Sequence, residues 1–333
     1  MLMVKENLFL SCDWGTSSFR LRLVEVHSCK VIAQRSNNQG INSIHQLWVA
    51  AKLNNAQRVP FYQAILKNEI RLLQQETHHQ LEGVPLIVSG MASSTLGIVE
   101  LPYKPLPFSI DGSDLQTGHL PATNDFNHNM LIISGVRSDD DVMRGEEIQL
   151  VGCSPDPQAG EHLFILPGTH SKHIKVENGK VVHFQTFMTG EMFDLLSTRS
   201  ILAGSIEKGL PGAAGPDRTS FLQGVNDGKS MNPLHAFFLV RTNALFGKLT
   251  KQDNWFYLSG LLIGLELKDI PMYDCRITLL VNEQLQPYYL LALQQMGLPG
   301  EISVINVDQA LLNGHCQLYQ KASHSPWQTS TSL

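Results

Sequence analysis

Hydrophobic and polar positions near the start of the chain predict two strands joined by a tight turn. Residues 8–12 form a largely apolar run, which is typical of a buried strand. Within residues 19–25, Leu21 and Leu23 alternate with arginines, as expected for a half-buried strand. The same succession of apolar strand, polar turn and outgoing strand recurs at residues 163–176. The pattern therefore predicts two β-hairpins in separate parts of the chain.

The turn of the first hairpin carries groups that can hold phosphate. Gly15 opens backbone conformations that other residues avoid, and the hydroxyl groups of Thr16 and Ser17 follow beside exposed N–H groups. Asp13 ends the preceding strand, where a buried carboxylate is costly unless it meets a cation or several donors. A hydrated magnesium ion is its natural partner. A plain hairpin, in which Asp13 only caps the turn, is the alternative.

The second hairpin repeats this turn without the acid. Its turn is Gly168, Thr169, His170, Ser171 and Lys172. When Gly168 is matched to Gly15, Leu166 falls opposite Asp13. The carboxylate therefore belongs to one hairpin only, as expected if both hairpins hold one phosphate chain and one of them also serves its metal ion.

Periodicity along the rest of the chain predicts alternating helices and strands. Apolar spacing predicts a helix over 58–79, and buried strands follow at 84–88 and 130–136. Later elements continue the alternation, with helices over 186–204, 234–248, 255–267 and 284–296, and strands at 276–281 and 302–307. This alternation indicates an α/β fold.

A proline-rich loop follows the first third of the chain. The prolines between residues 102 and 107 remove hydrogen-bond donors and prevent regular structure. Glu100 and Tyr103 in this rigid loop are candidates to hold the hydroxyl groups of a ligand, while a plain crossing between domains is an equal alternative. We place the domain boundary here, which gives domains of residues 1–108 and 109–333.

Two further clusters follow the ends of predicted strands. Ser89, Gly90 and Met91 come directly after the strand at 84–88, at the edge where open α/β sheets bind ligands. Three aspartates ending at Asp141 follow the strand at 130–136, and they favour a helix N-terminus. Further ionisable residues follow at once, and such a concentration indicates a functional site. An exposed charged helix is the alternative.

Composition excludes several classes of function. With 333 residues, of which 43% are hydrophobic and 17% charged, the chain can build two globular domains. A net charge of −5 without basic runs gives no support to nucleic-acid binding. The longest apolar stretch, 255–267, is too short to cross a membrane, and the N-terminus does not resemble a signal peptide. The five scattered cysteines indicate neither a disulfide framework nor a zinc site, so we expect a cytoplasmic protein.

Several motifs together carry a resemblance to a known family. They are Asp13-Trp14-Gly15-Thr16-Ser17, Ser89-Gly90-Met91, Pro102-Tyr103 and residues 141–147, 167–172 and 188–191. Over nearly its whole length the chain resembles sugar kinases of the actin, hexokinase and heat-shock ATPase superfamily, and among them the 2-dehydro-3-deoxygalactonokinase family. The resemblance implies two ribonuclease H-like domains that flank a nucleotide cleft, each offering a hairpin to the phosphates.

The resemblance also implies an activity. Its reaction is ATP-dependent phosphorylation of 2-dehydro-3-deoxy-D-galactonate to the 6-phosphate in D-galactonate catabolism, with ATP and Mg²⁺ as cofactors and Asp13 at the metal. Asp141 is the favoured general base, Glu146 competes with it, and Arg144 is an electrostatic partner of phosphate or substrate carboxylate. Gly40 belongs to a polar turn, residues 37–41, in the position where related kinases begin to contact their sugar, and a plain loop is the alternative.

One loop departs from the pattern of the relatives. They carry a glycine-bearing loop against adenosine after the strand that corresponds to 276–281, whereas this chain continues with Asn282 and Glu283. We expect Asn282 to adopt the left-handed conformation that glycine would supply, with Gly260 and Gly264 beside it in the pocket wall and Glu283 directed outward. The sequence therefore predicts a working but weakened adenine pocket.

Three readings of the function stay open at this point. The first is the kinase just described, acting on a small sugar acid, without nucleic-acid or membrane partners and with a homodimer as its expected assembly. The second is a kinase of the same fold for another keto-deoxy sugar acid. The third is a sugar-acid sensor that has lost catalysis, which would close on its ligand without turnover.

Overall fold

The computed structural model describes residues 7–154, 160–209, 218–270, 276–298 and 302–324. These residues form two compact units. As far as the ranges are described, unit 1 comprises Met1–Ala159, Asn178–His183 and Asp308–Leu333, and unit 2 comprises Gly160–Glu177 and Phe184–Val307. This division differs from the predicted boundary at residue 108, because the segment after it contributes strands to the first sheet.

Strands and helices alternate along the chain. The strands are β1 (Leu8–Trp14), β2 (Phe19–Glu25), β3 (Lys30–Asn37), β4 (Leu86–Gly90), β5 (Lys104–Pro105), β6 (Phe108–Ser109), β7 (Thr117–Leu120), β8 (Met130–Ile133), β9 (Val136–Arg137), β10 (Val142–Met143), β11 (His162–Leu166), β12 (Ser171–Glu177), β13 (Lys180–Phe187), β14 (Arg276–Val281) and β15 (Ile302–Asn306). The helices are α1 (Ile41–Ala50), α2 (Arg58–Thr77), α3 (Glu146–Cys153), α4 (Thr189–Thr198), α5 (Arg218–Ser230), α6 (Pro233–Leu245), α7 (Lys251–Leu267), α8 (Gln286–Met296) and α9 (Val307–His324). The predicted mixed α/β character is confirmed.

The main sheet of unit 1 has the strand order β3-β2-β1-β4-β8-β7. Strand β1 pairs antiparallel with β2, which confirms the first predicted hairpin, and parallel with β4. The register places Asp13 opposite Arg20 on one side and Ser89 on the other. The end of β1 is thus enclosed by two strands that carry polar residues at the same level.

Helices cover both faces of this sheet. Leu10 and Trp14 of β1 belong to the core cluster that includes Tyr62, Leu66 and other buried residues of α2. Phe9, which points to the opposite face, packs in a second cluster with residues of α3 and α9. Burial on both faces explains why residues 8–12 read as an apolar run rather than an alternating one.

The sheet of unit 2 runs β15-β14-β11-β12-β13, and the first residues of β13 belong to unit 1, where they pair with β6. Strand β11 pairs antiparallel with β12, which confirms the second predicted hairpin, and parallel with β14. Helix α7 lies against α5 at very close range. A Cβ atom on Gly260 would lie 2.0 Å from the carbonyl oxygen of Phe221, and one on Gly264 would lie 2.4 Å from that of Val225. These glycines therefore permit helix packing.

Two local predictions are corrected by the structure. The aspartates ending at Asp141 do not begin a helix, because residues 138–141 form the turn between β9 and β10, and α3 begins only at Glu146. The cysteine prediction is wrong for one pair, since Cys29 and Cys316 form a disulfide with their Cα atoms 6.1 Å apart. A separation of 287 residues hid this pair, which only the packing of α9 on unit 1 brings together. Cys275 lies outside the described residues.

The described residues contain neither a membrane-spanning helix nor a cluster of metal-binding side chains. No helix there combines the length and the apolar character needed to span a bilayer. No group of three or more His, Cys, Asp or Glu side chains that could hold a metal ion lies together there.

Candidate active site

The turn of the first hairpin is closed by its own backbone and supported by the start of α1. The N–H of Gly15 donates to the carbonyl of Ser18 at 2.9 Å. A Cβ atom on Gly40 would lie 2.2 Å from the carbonyl oxygen of Thr16 and 2.4 Å from the nitrogen of Ser17. The side chains of Thr16 and Ser17 are exposed. The structure therefore places Gly40 behind the first turn, where only glycine fits.

Asp13 lies where β1, β4 and α3 meet. Gly90 has a φ of +80°, and a Cβ atom there would lie 2.7 Å from the carbonyl oxygen of Trp14 and 3.4 Å from a carboxylate oxygen of Asp13. Gly145, with a φ of +114°, packs against Gly90, since a Cβ atom on Gly145 would lie 3.6 Å from the Cα of Gly90. Both glycines adopt left-handed conformations that strain other residues. They leave the space beside the Asp13 carboxylate clear.

Charged residues surround this carboxylate. Burial raises the pKa of Asp13, Arg20 and Arg22 lower it, and Asp308 and Glu146 raise it again. Both arginines also form ion pairs with Asp308 at the start of α9, and the Arg22 pair measures 3.5 Å. Asp308 thus offsets their positive charge. A carboxylate in such a site is suited to hold Mg²⁺, which uses one or two carboxylates together with water and phosphate oxygens.

The structure separates the two candidate bases. Glu146 opens α3 directly after Gly145, its carboxylate accepts the N–H of Arg144 at 3.0 Å, and its charge acts on Asp13. Asp141 instead lies in the turn between β9 and β10, where its carboxylate accepts the N–H of Val142 at 2.7 Å. The geometry therefore favours Glu146, whereas the sequence favoured Asp141.

The neighbouring Glu147 has a different environment. It is fully buried, and both its carboxylate oxygens accept the N–H of Gly145, at 2.9 and 2.8 Å. Burial, assisted by the charge of Glu146, raises the pKa of Glu147 from 4.5 to about 8. This side chain fixes the tight turn into α3 and has no exposed surface with which to meet a substrate. It is a support for Glu146.

Two polar atoms in the same region of unit 1 lack partners. Arg144 donates from Nη1 to the carbonyl oxygen of Ser93 at 2.6 Å, and its guanidinium lies 4.2 Å from the centre of the Tyr103 ring. Among the described residues, the buried Nε of Arg144 and the buried hydroxyl of Ser89 have no hydrogen-bond partner. Buried polar groups rarely stay unpaired. Both atoms are therefore candidates to bind a polar ligand.

The remaining sugar candidates are less well placed. Met91 begins a short 3-10 helix directly after Gly90, and its side chain is partly buried. Glu100 is exposed in the loop that follows. The structure thus gathers Asp13, Ser89, Gly90 and Glu146, and it joins Arg144 to Tyr103. Glu100 and Asp141 are not among the residues brought together there.

In unit 2 the turn of the second hairpin rests on the start of α4. The N–H of Gly168 donates to the hydroxyl of Ser171 at 3.3 Å, and the N–H of Glu191 donates to the carbonyl of Thr169 at 3.1 Å. A Cβ atom on Gly190 would lie 2.6 Å from the carbonyl oxygen of Gly168. His170 pairs with Glu191, and the Lys172 ammonium donates to the carbonyl of His170. The N-terminus of α4 therefore packs against this turn and supports it.

A cavity of about 760 Å³ opens beside this turn. Its walls include turn residues, aromatic side chains, a lysine and polar loop residues, among them Gly168, Thr169, Thr189, Gly190, Lys208, Trp255, Asn282, Tyr288 and Tyr289. Apolar walls beside a few convergent polar groups are typical of a small-molecule site. The sequence reading missed Lys208, Trp255 and Tyr288, because no local motif marks them.

The adenosine predictions are partly revised by this cavity. Gly260 is not among its described lining residues and packs against α5 instead. Asn282 does line the cavity, but it is not one of the described non-glycine residues with positive φ. Its side chain accepts the N–H of Leu285 at 2.9 Å and so caps the turn before α8. Glu283 is exposed, as expected.

Comparison with known proteins shows the class to which the chain belongs. The chain belongs to a family of kinases. That family is 2-keto-3-deoxy-galactonokinase, whose sequence profile matches residues 13–318.

Individual relatives agree with this assignment. The chain is 30% identical over 322 residues to a protein of Rhizobium meliloti (strain 1021) assigned as a 2-dehydro-3-deoxygalactonokinase, covering 94% of this chain and 96% of the relative. It is 30% identical to the 2-dehydro-3-deoxygalactonokinase of Escherichia coli (strain K12), covering 87% and 90%. A crystal structure from Sinorhizobium meliloti, assigned to the same activity, superposes with a TM-score of 0.76 at 28% identity, covering 98% and 99%.

Proposed function

We propose that this protein transfers the γ-phosphoryl group of ATP to the 6-hydroxyl of 2-dehydro-3-deoxy-D-galactonate, as a step of D-galactonate catabolism. The two relatives at 30% identity are named for this activity, and this chain matches each of them over nearly its whole length. The structural observation that carries the proposal is that Glu146 lies near enough to Asp13 for its charge to raise the pKa of that carboxyl, with Gly90 and Gly145 keeping the space clear. A base and a metal-binding carboxylate in the same site serve phosphoryl transfer to an alcohol.

In the proposed reaction Glu146 accepts the proton of the 6-hydroxyl. The oxygen of that hydroxyl forms a bond to the γ-phosphorus as the bond from phosphorus to the bridging β,γ-oxygen breaks, and ADP leaves. Asp13 would hold Mg²⁺, which when bound neutralises charge on the phosphates. The two hairpin turns, at Gly15 to Ser17 and Gly168 to Lys172, hold the phosphate oxygens through backbone N–H groups other than those of Gly15 and Gly168, which close the turns themselves.

The nucleoside belongs in the cavity of unit 2 in this proposal. Its aromatic and apolar lining suits a purine base, and Asn282 and Lys208 offer polar groups at its wall. That the two domains are ribonuclease H-like, as expected from the sequence, is part of the same proposal.

The sugar acid belongs in unit 1. The hydroxyl of Ser89 and the Nε of Arg144 are buried and unpaired among the described residues, so a ligand that supplies hydroxyl and carboxylate oxygens would satisfy them. An arginine held in place by Ser93 and Tyr103 is well suited to a carboxylate. Met91, Glu100 and Tyr103 complete the proposed contact set, with Glu100 resting on the sequence alone.

A substrate panel tests the proposal. ADP release is followed in a coupled assay with ATP and Mg²⁺ and with keto-deoxy acids derived from galactonate and from gluconate. We expect the highest kcat/KM for 2-dehydro-3-deoxy-D-galactonate. A higher kcat/KM for another keto-deoxy acid would show that the protein is a kinase for that acid. Binding of the sugar acid without ADP release would show that it is a sensor. The names of the relatives favour neither alternative.

Two further expectations belong to the proposal. The homodimer stays a prediction, which sedimentation equilibrium of the purified protein tests directly. A cytoplasmic location stays a prediction as well.

A further inference from the structure

Unit 2 contains a buried carboxylate for which the proposed reaction has no use. Glu266 on α7 is 2% exposed. One of its carboxylate oxygens accepts Nε2–H of His173 at 3.1 Å, and the other accepts the hydroxyls of Tyr289, at 2.7 Å, and of Thr189. A charge removed from water at this cost needs such donors around it. Packing alone would be served as well by an apolar side chain.

The donors belong to elements that border the second hairpin turn. His173 is on β12, Thr189 is the first residue of α4, and Tyr289 is on α8. Thr189 precedes Gly190, which lies against the backbone of Gly168 and Thr169. One carboxylate thus holds together the outgoing strand of the hairpin, the helix beneath its turn and a wall of the cavity.

A directed chain of hydrogen bonds also reaches the turn. The N–H of Gly168 donates to the hydroxyl of Ser171 at 3.3 Å, and the Ser171 and Tyr289 hydroxyls are 3.2 Å apart. With Tyr289 donating to Glu266, the Ser171 hydroxyl can donate to the Tyr289 oxygen at 3.2 Å or to the carbonyl of Gly168 at 3.5 Å. Burial and the charge of Glu266 raise the pKa of Tyr289 well above its usual value, so the phenol keeps its proton. The Tyr289 hydroxyl therefore donates to Glu266, and either acceptor of the Ser171 hydroxyl keeps that group at the turn.

We infer that Glu266 is a positioning residue for the nucleotide phosphates, acting through Tyr289 and Thr189 on the turn of the second hairpin. Glu266 is not among the described residues that line the cavity, whereas Tyr289 and Thr189 are. Backbone N–H groups stabilise an anion best when their direction is fixed beforehand, because no reorganisation is then needed at binding. The inference rests on the proposed kinase function, in which this turn holds phosphate.

Two substitutions at Glu266 separate its hydrogen bonds from its charge. Glu266→Leu keeps the bulk and removes both acceptors. Glu266→Gln retains an oxygen for Tyr289 and Thr189, while its amide N–H₂ can donate to the other tautomer of neutral His173. Because hydrogen bonds to charged groups are the stronger ones, we expect Glu266→Leu to raise the KM for ATP about 10-fold or more. Glu266→Gln should stay within about 3-fold of wild type, and the KM for the sugar acid should change little in both.

A pair of tyrosine variants provides the matched control. Tyr289→Phe removes the hydroxyl between Ser171 and Glu266. Tyr257→Phe removes the hydroxyl of another buried tyrosine, on α7, which also donates to a carboxylate, that of Asp227 at 2.7 Å, away from the described lining of the cavity. We expect Tyr289→Phe to weaken ADP binding about 3- to 10-fold and Tyr257→Phe to leave it within about 2-fold. Tyr289→Phe also carries the test if Glu266→Leu fails to fold.

Calorimetry with ADP and with adenosine decides between positioning and general damage. If Glu266 positions the phosphate turn, Glu266→Leu and Tyr289→Phe lose affinity for ADP and keep that for adenosine, which has no phosphate. Wild-type ADP affinity in both variants, or equal losses for ADP and adenosine, would overturn the inference. Failure of the wild-type protein itself to bind ADP and to turn over ATP would overturn the proposed function, and the inference with it.

Discussion

A Glu146→Gln variant is expected to lose about 100- to 10,000-fold in kcat, with little change in the KM for the sugar acid. The carboxamide has the size of the carboxylate and can still accept the N–H of Arg144, so the start of α3 is kept. It cannot take up the proton of the attacking hydroxyl. Initial rates of ADP formation at saturating ATP, measured across sugar-acid concentrations, separate kcat from KM.

Asp141→Asn is the matched control for this variant. It makes the same change from carboxylate to carboxamide five residues earlier, in the turn between β9 and β10, where the side chain accepts the N–H of Val142. We expect its kcat to stay within about 3-fold of wild type. A larger loss of kcat in Asp141→Asn than in Glu146→Gln would identify Asp141 as the base. Near-normal turnover in both variants would contradict a base in this segment.

An Asp13→Asn variant is expected to lose about 100-fold or more in kcat, because a bound metal contributes several kcal/mol of charge stabilisation in the transition state. The substitution removes the charge and keeps the volume. Burial raises the pKa of the Asp13 carboxyl, which shows that its ionised form is disfavoured without a cation. We therefore expect thermal unfolding of the metal-free variant at a temperature equal to or above that of wild type.

Magnesium titration provides the second arm of the Asp13 test. Activity of wild type is expected to rise to a plateau with Mg²⁺, whereas Asp13→Asn stays low at every concentration. A variant that reaches near-normal kcat at saturating Mg²⁺ would contradict the metal role. A variant that does not fold would assign Asp13 a structural role instead.

The elements that the sequence predicts best are those with local signals. The two hairpins are confirmed because an apolar strand, a turn with glycine and an alternating strand are all read within about twenty residues. The position of Asp13 follows from the same pattern, since the strand ends where the apolar run ends. The family assignment is confirmed for the same reason, because its motifs are short and contiguous.

The predictions that fail, or that the structure revises, depend on how segments pack. Three aspartates favour a helix N-terminus locally, but pairing between β9 and β10 places Asp141 in a hairpin turn. Gly260 reads as a glycine near a ligand, whereas the contact with α5 accounts for it. For Asn282 the sequence predicts the left-handed conformation of glycine, but its side chain instead accepts a hydrogen bond from the N–H of Leu285 and caps the turn before α8. In each case the residue type is compatible with two structural roles, and a contact formed in the folded protein selects one of them.

Other features had no sequence signal at all. The disulfide joins cysteines 287 residues apart, and the ion pairs of Arg20 and Arg22 depend on Asp308 in the last helix. Glu266 reads as one acid in an apolar helix, and its donors come from three other elements. Contacts between residues so far apart in the chain become visible only in the folded protein.

Phosphorus NMR of the reaction product tests the central claim most directly. Wild-type protein is incubated with ATP, Mg²⁺ and 2-dehydro-3-deoxy-D-galactonate, with Glu146→Gln in parallel. The account predicts ADP and one new phosphomonoester in equal amounts, with the phosphorus coupled to the two methylene protons of C6, and almost no product from Glu146→Gln. Inorganic phosphate as the only product, or a phosphomonoester formed equally well by Glu146→Gln, would contradict it.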